Sequence, residues 1–153
     1  MRYSLLLAIA ILFFTACKKD KYTTAPQIEY RSVSHNTAYS NVPCLSLDGP
    51  YLTIHVTDAE GDLGYNDRSD TAYVFIKNLL TNKLDSLKFP TLTSVASKNF
   101  SANIEINLAC KLGASTRPRP KTDTLFYEVY VRDFAKNISN KITSTDPIYY
   151  ITP

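Results

Sequence analysis

Apolar and polar residues alternate along most of the chain beyond residue 26, with the period of two that is typical of half-buried β-strands. The alternation is clearest over 100–108, where every second residue is apolar and the residues between them are polar. Turn-forming residues flank each of these alternating segments. Together they predict about seven strands: 27–34, 51–57, 71–78, 84–89, 100–108, 124–133 and 142–151.

Composition and segment length indicate the fold class. The chain has 11 Tyr and 7 Phe among many Thr, Ile and Val, which are residue types that favour strands. No segment shows a convincing amphipathic helix. Short strands separated by turns predict an all-β fold, a single immunoglobulin-like antiparallel β-sandwich over 27–153, with a small barrel as the alternative.

The N-terminus has a different character. The apolar run from Leu5 to Phe14 follows Arg2 and is ten residues long, whereas a membrane-spanning helix needs about 20. This length fits the central region of a secretory signal peptide. The segment 14–17 (FTAC) resembles the lipobox of bacterial lipoproteins. The resemblance implies cleavage after residue 16 by signal peptidase II, and lipid on Cys17.

The predicted domain organisation follows from this resemblance. Residues 1–16 form the signal peptide, 17–26 the lipidated cysteine and a tether, and 27–153 the folded domain. Two or three acyl chains suffice to anchor a protein, whereas a single chain binds only marginally. The sequence after Cys17 resembles the start of Bacteroidetes lipoproteins, which implies the outer membrane; the periplasmic and the external face both remain open.

The net charge and the cysteines indicate what kind of partner and what cross-link the folded domain has. Without residues 1–16 the chain keeps 16 basic and 14 acidic side chains, too balanced to indicate a nucleic-acid partner. With Cys17 assigned to lipid, Cys44 and Cys110 remain. An oxidising compartment favours a disulfide between them, and such a bridge would stabilise the fold by roughly 4 kcal/mol. Two separate buried thiols are the alternative.

An acidic stretch follows the second predicted strand. Five of the 14 acidic residues lie within 58–70, and crowding of this kind is relieved by water or by a cation. The stretch is not an EF-hand, because Leu63 and Ser69 occupy the positions of its essential Gly and Glu. In a sandwich the loop after the sixth strand lies at the same end. The predicted calcium ligands are Asp58, Glu60, Asp62, Asp133 and Asn137; a solvated, self-capped turn is the alternative.

Two turn motifs carry a family resemblance. The segments TDAEGDLG (57–64) and YEVYVRDFAKNISN (127–140) resemble turns of small immunoglobulin-like lipoproteins and adhesin-type domains of Bacteroidetes. The resemblance covers most of 27–151. It implies the fold and the cellular location more than an activity.

A basic, proline-stiffened loop, 117–121 (RPRPK), separates the fifth and sixth predicted strands. It is expected at the end of the sandwich opposite the acidic stretch. Acidic glycans or lipid headgroups are possible ligands of this loop. A solvated extended connection is the alternative.

Two functions from different classes remain. The favoured one is a non-catalytic binding or scaffold module at the outer membrane, acting on a glycan or a protein partner, with calcium as a candidate stabilising ion. The alternative is a small hydrolase that uses the acidic loop 58–70. The chain contains none of the common catalytic motifs, such as G-x-S-x-G or H-E-x-x-H, and no catalytic residue is assigned.

Overall fold

The computed structural model describes residues 22–41, 43, 49–64, 71–90 and 98–153. Within these ranges the protein is all-β: every element is a strand, in three small sheets. Among the same residues, no helix is long and apolar enough to cross a membrane. The predicted signal peptide and Cys17 lie outside the described residues.

One sheet has three antiparallel strands in the order β1-β3-β6. They are β1 (Gln27–Ser34), β3 (Tyr51–Asp58) and β6 (Phe100–Asn107). Their alternation reflects burial on one face only, as in β3, where Leu52, Ile54 and Val56 are fully buried.

A four-stranded antiparallel sheet packs against the first. Its order is β5-β4-β8-β9, with β4 (Tyr73–Asn78), β5 (Leu84–Lys88), β8 (Tyr127–Arg132) and β9 (Ile142–Thr143). Alternate residues of β4 and β8, such as Val74 and Val131, join Ile54 in one hydrophobic core. The two sheets around a shared core confirm the predicted β-sandwich.

A third sheet joins β2 (Thr37–Tyr39), β10 (Ile148–Thr152) and β7 (Lys121–Leu125) in the order β2-β10-β7, and β2 runs parallel to β10. The predicted strand 124–133 is therefore two strands, interrupted at Phe126, whose carbonyl accepts a hydrogen bond from Leu79 N–H in a different loop. The predicted strand 142–151 is likewise divided. Strand β2 was not predicted, since three residues are too few to show alternation.

The sandwich has two chemically different ends. Strands β3 and β8 end at the first, which we call the acidic pole. It is formed by the segments 22–26, 58–64 and 133–140. The chain enters the fold here, because Gln27 pairs with Thr57. The other end, the basic pole, comprises the hairpin 79–83 and the loop 109–121.

Candidate metal centre

Asp58 closes the turn that follows β3. Its side chain is fully buried, and its Oδ2 accepts hydrogen bonds from the main-chain N–H groups of Gly61 and Asp62, at 2.6 and 3.2 Å. Gly61 has a φ of 67°, a left-handed conformation that favours glycine. One carboxylate oxygen of Asp58 is therefore used by the turn itself.

Asp62 joins this turn to the loop after β8. Its carbonyl accepts a hydrogen bond from Phe134 N–H at 3.1 Å, and its Oδ2 accepts one from Ala135 N–H at 3.2 Å. The two loops that the sequence predicted at one end of the sandwich are thus in direct contact.

Asp133 is the first residue after β8 and is almost fully buried. Its Oδ1 and Oδ2 accept hydrogen bonds from the main-chain N–H and the Nδ2 of Asn137, at 2.7 and 2.8 Å. Lys136 N–H donates to the carbonyl of Asp133, and Lys136 itself adopts a left-handed φ of 71°. This turn holds the Asp133 carboxylate toward the turn after β3.

Three carboxylates consequently meet at the acidic pole. Asp58, Asp62 and Asp133 each offer an oxygen, and these oxygens lie within 4.8 Å of one another. Two buried oxygens, Oδ1 of Asp58 and Oδ1 of Asp62, have no hydrogen-bond partner. None of the ion pairs found among the described residues involves any of the three carboxylates.

Burial and mutual repulsion disfavour the charged forms of these groups. Burial, together with the neighbouring charge of Asp62, raises the pKa of Asp58 to about 6. Burial also raises the pKa of Asp133, and the charge of Asp62 adds to this rise. The arrangement can therefore take up either a proton or a cation.

The other two predicted ligands have different roles. Glu60 is exposed at the tip of the turn and does not belong to the group of three, because the bonds of Asp58 to residues 61 and 62 leave position 60 facing solvent. Asn137 is adjacent but donates to Asp133, so it orients a carboxylate. The acidic residues Asp67 and Asp70 lie outside the described residues.

The predicted disulfide is confirmed for Cys110, but its partner is not identified. Cys110 is disulfide-bonded, and its partner lies outside the described residues, as do Cys17 and Cys44. Pro43 and Ala109, their sequence neighbours, line the same cavity of about 260 Å³. That proximity supports pairing with Cys44, which stays a prediction.

The basic pole is organised around Asp123, for which the sequence predicted no structural role. Asp123 is fully buried and accepts hydrogen bonds from Ser115 N–H, Ser115 Oγ and Arg117, at 2.8, 2.6 and 2.6 Å. Burial alone would raise the pKa of Asp123, but these bonds and the charge of Lys121 outweigh it and lower the pKa to about 2. The carboxylate thereby fixes the loop 109–121.

The surface of the basic pole is cationic and partly apolar. Its two segments, 79–83 and 109–121, contain five basic residues and no acidic ones. Leu79 and Leu80 are exposed there, at 39% and 42%. Gly113 packs closely on Thr81, so the two segments form one continuous surface.

The tyrosine face of the four-stranded sheet is less available. Tyr130 stacks on Phe75 with ring centroids 4.7 Å apart, and Lys141 lies over the Tyr130 ring. Arg132 lies over the rings of Phe75 and Tyr73. These aromatic faces are covered by neighbouring side chains, which makes them weaker candidates for a contact surface than the basic pole.

Comparison with known proteins gives no relative: the chain matches no family model, and neither the curated proteins nor the solved structures contain a match.

Proposed function

We propose that the protein is a lipid-anchored, non-catalytic binding module of the outer membrane that presents its basic pole to an acidic partner. The observation that carries the proposal is the opposition of the two poles. The chain enters the fold at the acidic pole, and the cationic surface with exposed leucines lies at the other end.

The position of the tether supports an orientation. Ala59 N–H donates to the carbonyl of Thr23 at 3.1 Å, which fixes the tether to the acidic pole from residue 23 onward. An extended chain spans at most about 3.6 Å per residue, so a lipid on Cys17 would hold the acidic pole within roughly 20 Å of the membrane. The basic pole then faces away from the membrane.

The positive charge of the basic pole supports an acidic partner, for which we propose a carboxylated or sulfated glycan. The nearest acidic groups, Asp85 and Asp123, are already paired with Lys83, Lys111, Arg117 and Lys121. Arg119 is exposed and belongs to no ion pair found among the described residues. Charges in such a surface steer association and set its salt dependence.

The hydrolase alternative has less support from the geometry. A glycosidase holds two carboxylates about 5–9.5 Å apart across a substrate cleft. Here the three carboxylates lie within 4.8 Å and bind main-chain or amide donors of their own loops. They line neither the cavity beside Ala109 nor the cavity beside Leu87.

Binding to the basic pole is tested with immobilised heparin and polygalacturonate as acidic probes and dextran as the neutral one. We expect salt-sensitive binding to the acidic probes, weakened roughly fivefold or more by Arg119→Glu. Lys98→Glu is the matched control, because it makes the same charge change beside the acidic pole, where Asn99 N–H bonds Ala59. Equal loss in both variants, or equal binding to dextran, would contradict the proposal.

The anchor has a separate test. Metabolic labelling with an alkynyl palmitate should mark the wild-type chain, and the label should be lost in Cys17→Ser while it is kept in Cys44→Ser. An unlabelled wild-type protein would remove the anchor from the proposal and leave the binding surface to be judged by the probes above.

A further inference from the structure

We infer that Asp58, Asp62 and Asp133 bind one calcium ion, which links the loop after β3 to the loop after β8. The inference is independent of the lipid anchor and of the partner at the basic pole. It rests on the geometry of three carboxylates and on two buried oxygens without partners.

The unpartnered oxygens point to a missing positive ligand. Oδ1 of Asp58 belongs to a fully buried side chain, which lies beside the other two carboxylates. An ionised carboxylate can only accept, so a donor or a cation has to satisfy it. Leaving such a buried group unsatisfied is costly, and native proteins pair their buried charges or coordinate metals with them.

The hydrogen bonds prepare the carboxylates for a cation. The turn holds Oδ2 of Asp58, and Ala135 N–H holds Oδ2 of Asp62, so each of these side chains keeps its Oδ1 free and oriented. Asn137 fixes Asp133 differently, by donating to both of its carboxylate oxygens. Donors that orient the ligands of a metal in this manner raise its affinity.

The spacing is compatible with calcium. Ca–O distances are about 2.3–2.6 Å, so two oxygens on opposite sides of the ion lie about 4.6–5.2 Å apart. The three oxygens here lie within 4.8 Å of one another. Calcium tolerates irregular loops and fills its remaining positions with water, whereas Mg²⁺ demands near-ideal octahedral geometry. Three protein carboxylates and bound water are typical of weak sites, with Kd of about 0.1–1 mM.

The experiment uses the full-length chain in detergent, stripped with EDTA and returned to pH 7.5. Titration with CaCl₂ in a calorimeter should give a single site with Kd of about 0.1–1 mM. At ten times that Kd the melting midpoint should rise by about 4 °C. The absence of both heat and a shift at 10 mM Ca²⁺ would overturn the inference, as would an equal shift with Mg²⁺ or with NaCl of the same ionic strength.

Variants separate metal binding from a merely structural role. Asp58→Asn and Asp62→Asn keep an oxygen for their main-chain donors but remove a charge. We expect each to weaken Ca²⁺ binding at least about tenfold and, in EDTA, to melt at or above the wild-type midpoint, since repulsion is relieved. If Asp58→Asn does not fold, the half-buried Asp62 still provides the test.

Glu60→Gln is the matched control. It makes the same charge change in the same turn, at an exposed position outside the group of three. It should retain the wild-type Kd and melting shift. Loss of the calcium response in Glu60→Gln to the same degree as in Asp62→Asn would overturn the assignment of the ligands.

Discussion

Asp62 Oδ2 accepts a hydrogen bond from the main-chain N–H of Ala135 at 3.2 Å, across 73 residues of sequence. Together with the bond from Phe134 N–H to the Asp62 carbonyl, it joins the two loops of the acidic pole. The side chain therefore has one oxygen bound to the neighbouring loop and one buried oxygen without a partner, and it lies beside Asp58 and Asp133.

This division of roles predicts different effects for two substitutions of Asp62. Asp62→Asn keeps an acceptor for Ala135 N–H, whereas Asp62→Ala removes it. In EDTA, Asp62→Ala should have a free energy of unfolding about 1 kcal/mol below that of Asp62→Asn, the typical contribution of one hydrogen bond. Urea unfolding measures the difference. Equal stabilities would mean that the Ala135 bond contributes nothing to the contact between the loops.

The raised pKa of Asp58 predicts an inverse pH dependence in calcium-free protein. Between about pH 4 and 6 the folded state binds a proton that the unfolded chain does not, because the folded pKa is about 6 and the unfolded one about 4. The free energy of unfolding should therefore rise by about 2 kcal/mol as the pH falls from 7.5 to 4.5 in EDTA. Asp58→Asn should lose most of this rise, and an unchanged rise would assign it to other groups.

The pKa of Asp123 is shifted in the opposite direction, so the protonation of Asp123 lowers the stability of the fold in acid. Its pKa is lowered to about 2, so its contribution to stability is present above pH 4 and is lost as the pH falls toward 2. Asp123→Ala should cost about 3–5 kcal/mol in urea unfolding at pH 7, because Lys121, with a side chain only 8% exposed, would stay buried without its partner. Asp146→Ala, at an exposed carboxylate that accepts a bond from Tyr30, should cost less than about 1 kcal/mol.

The alternation of the sequence predicted most strands to within a few residues, since one-sided burial imposes the period of two. Asp58, Asp62 and Asp133, which the sequence predicted at one end of the sandwich, do lie together, because strand ends determine which loops meet; that they bind a metal stays a prediction. Alternation also contained a signal that was missed: Asp123 lies two residues before Leu125 and shares its buried face. Which oxygens remain free could not be predicted, as this depends on main-chain donors placed by the turns.

The division of the predicted strand 142–151 could not be predicted from the alternation of apolar and polar residues. Beyond β8 the sheet continues, among the described residues, as the two-residue β9 and an isolated bridge between Arg132 and Ile138. Two serine side chains accept hydrogen bonds that the carbonyls of a neighbouring strand would otherwise accept. Ser139 Oγ accepts from Val131 N–H at 2.9 Å, and Ser144 Oγ accepts from Tyr127 N–H at 3.0 Å. Side-chain acceptors of this kind substitute for a strand without any change in the hydrophobic pattern.

These serines give a prediction for the edge of the four-stranded sheet. Ser139→Ala should lower the free energy of unfolding by about 1–3 kcal/mol, because the buried N–H of Val131 loses its acceptor. Ser86→Ala, at an exposed position of β5, is the control and should change it by less than about 0.5 kcal/mol. Guanidinium unfolding of both variants measures the contrast; equal effects would mean that the Ser139 bond is replaced by water.

The disulfide of Cys110 gives the last prediction, since its partner lies outside the described residues. If Cys44 is the partner, Cys17→Ala should keep the bridge, and non-reducing peptide mapping should recover the peptides of 44 and 110 as one species. Reduction should then cost roughly 4 kcal/mol, because the closed loop restricts the unfolded chain. A free thiol at Cys110 in Cys17→Ala, with the bridge retained in Cys44→Ala, would identify Cys17 as the partner. Lipid on that sulfur would then be excluded, because a single thiol cannot carry both a thioether and a disulfide.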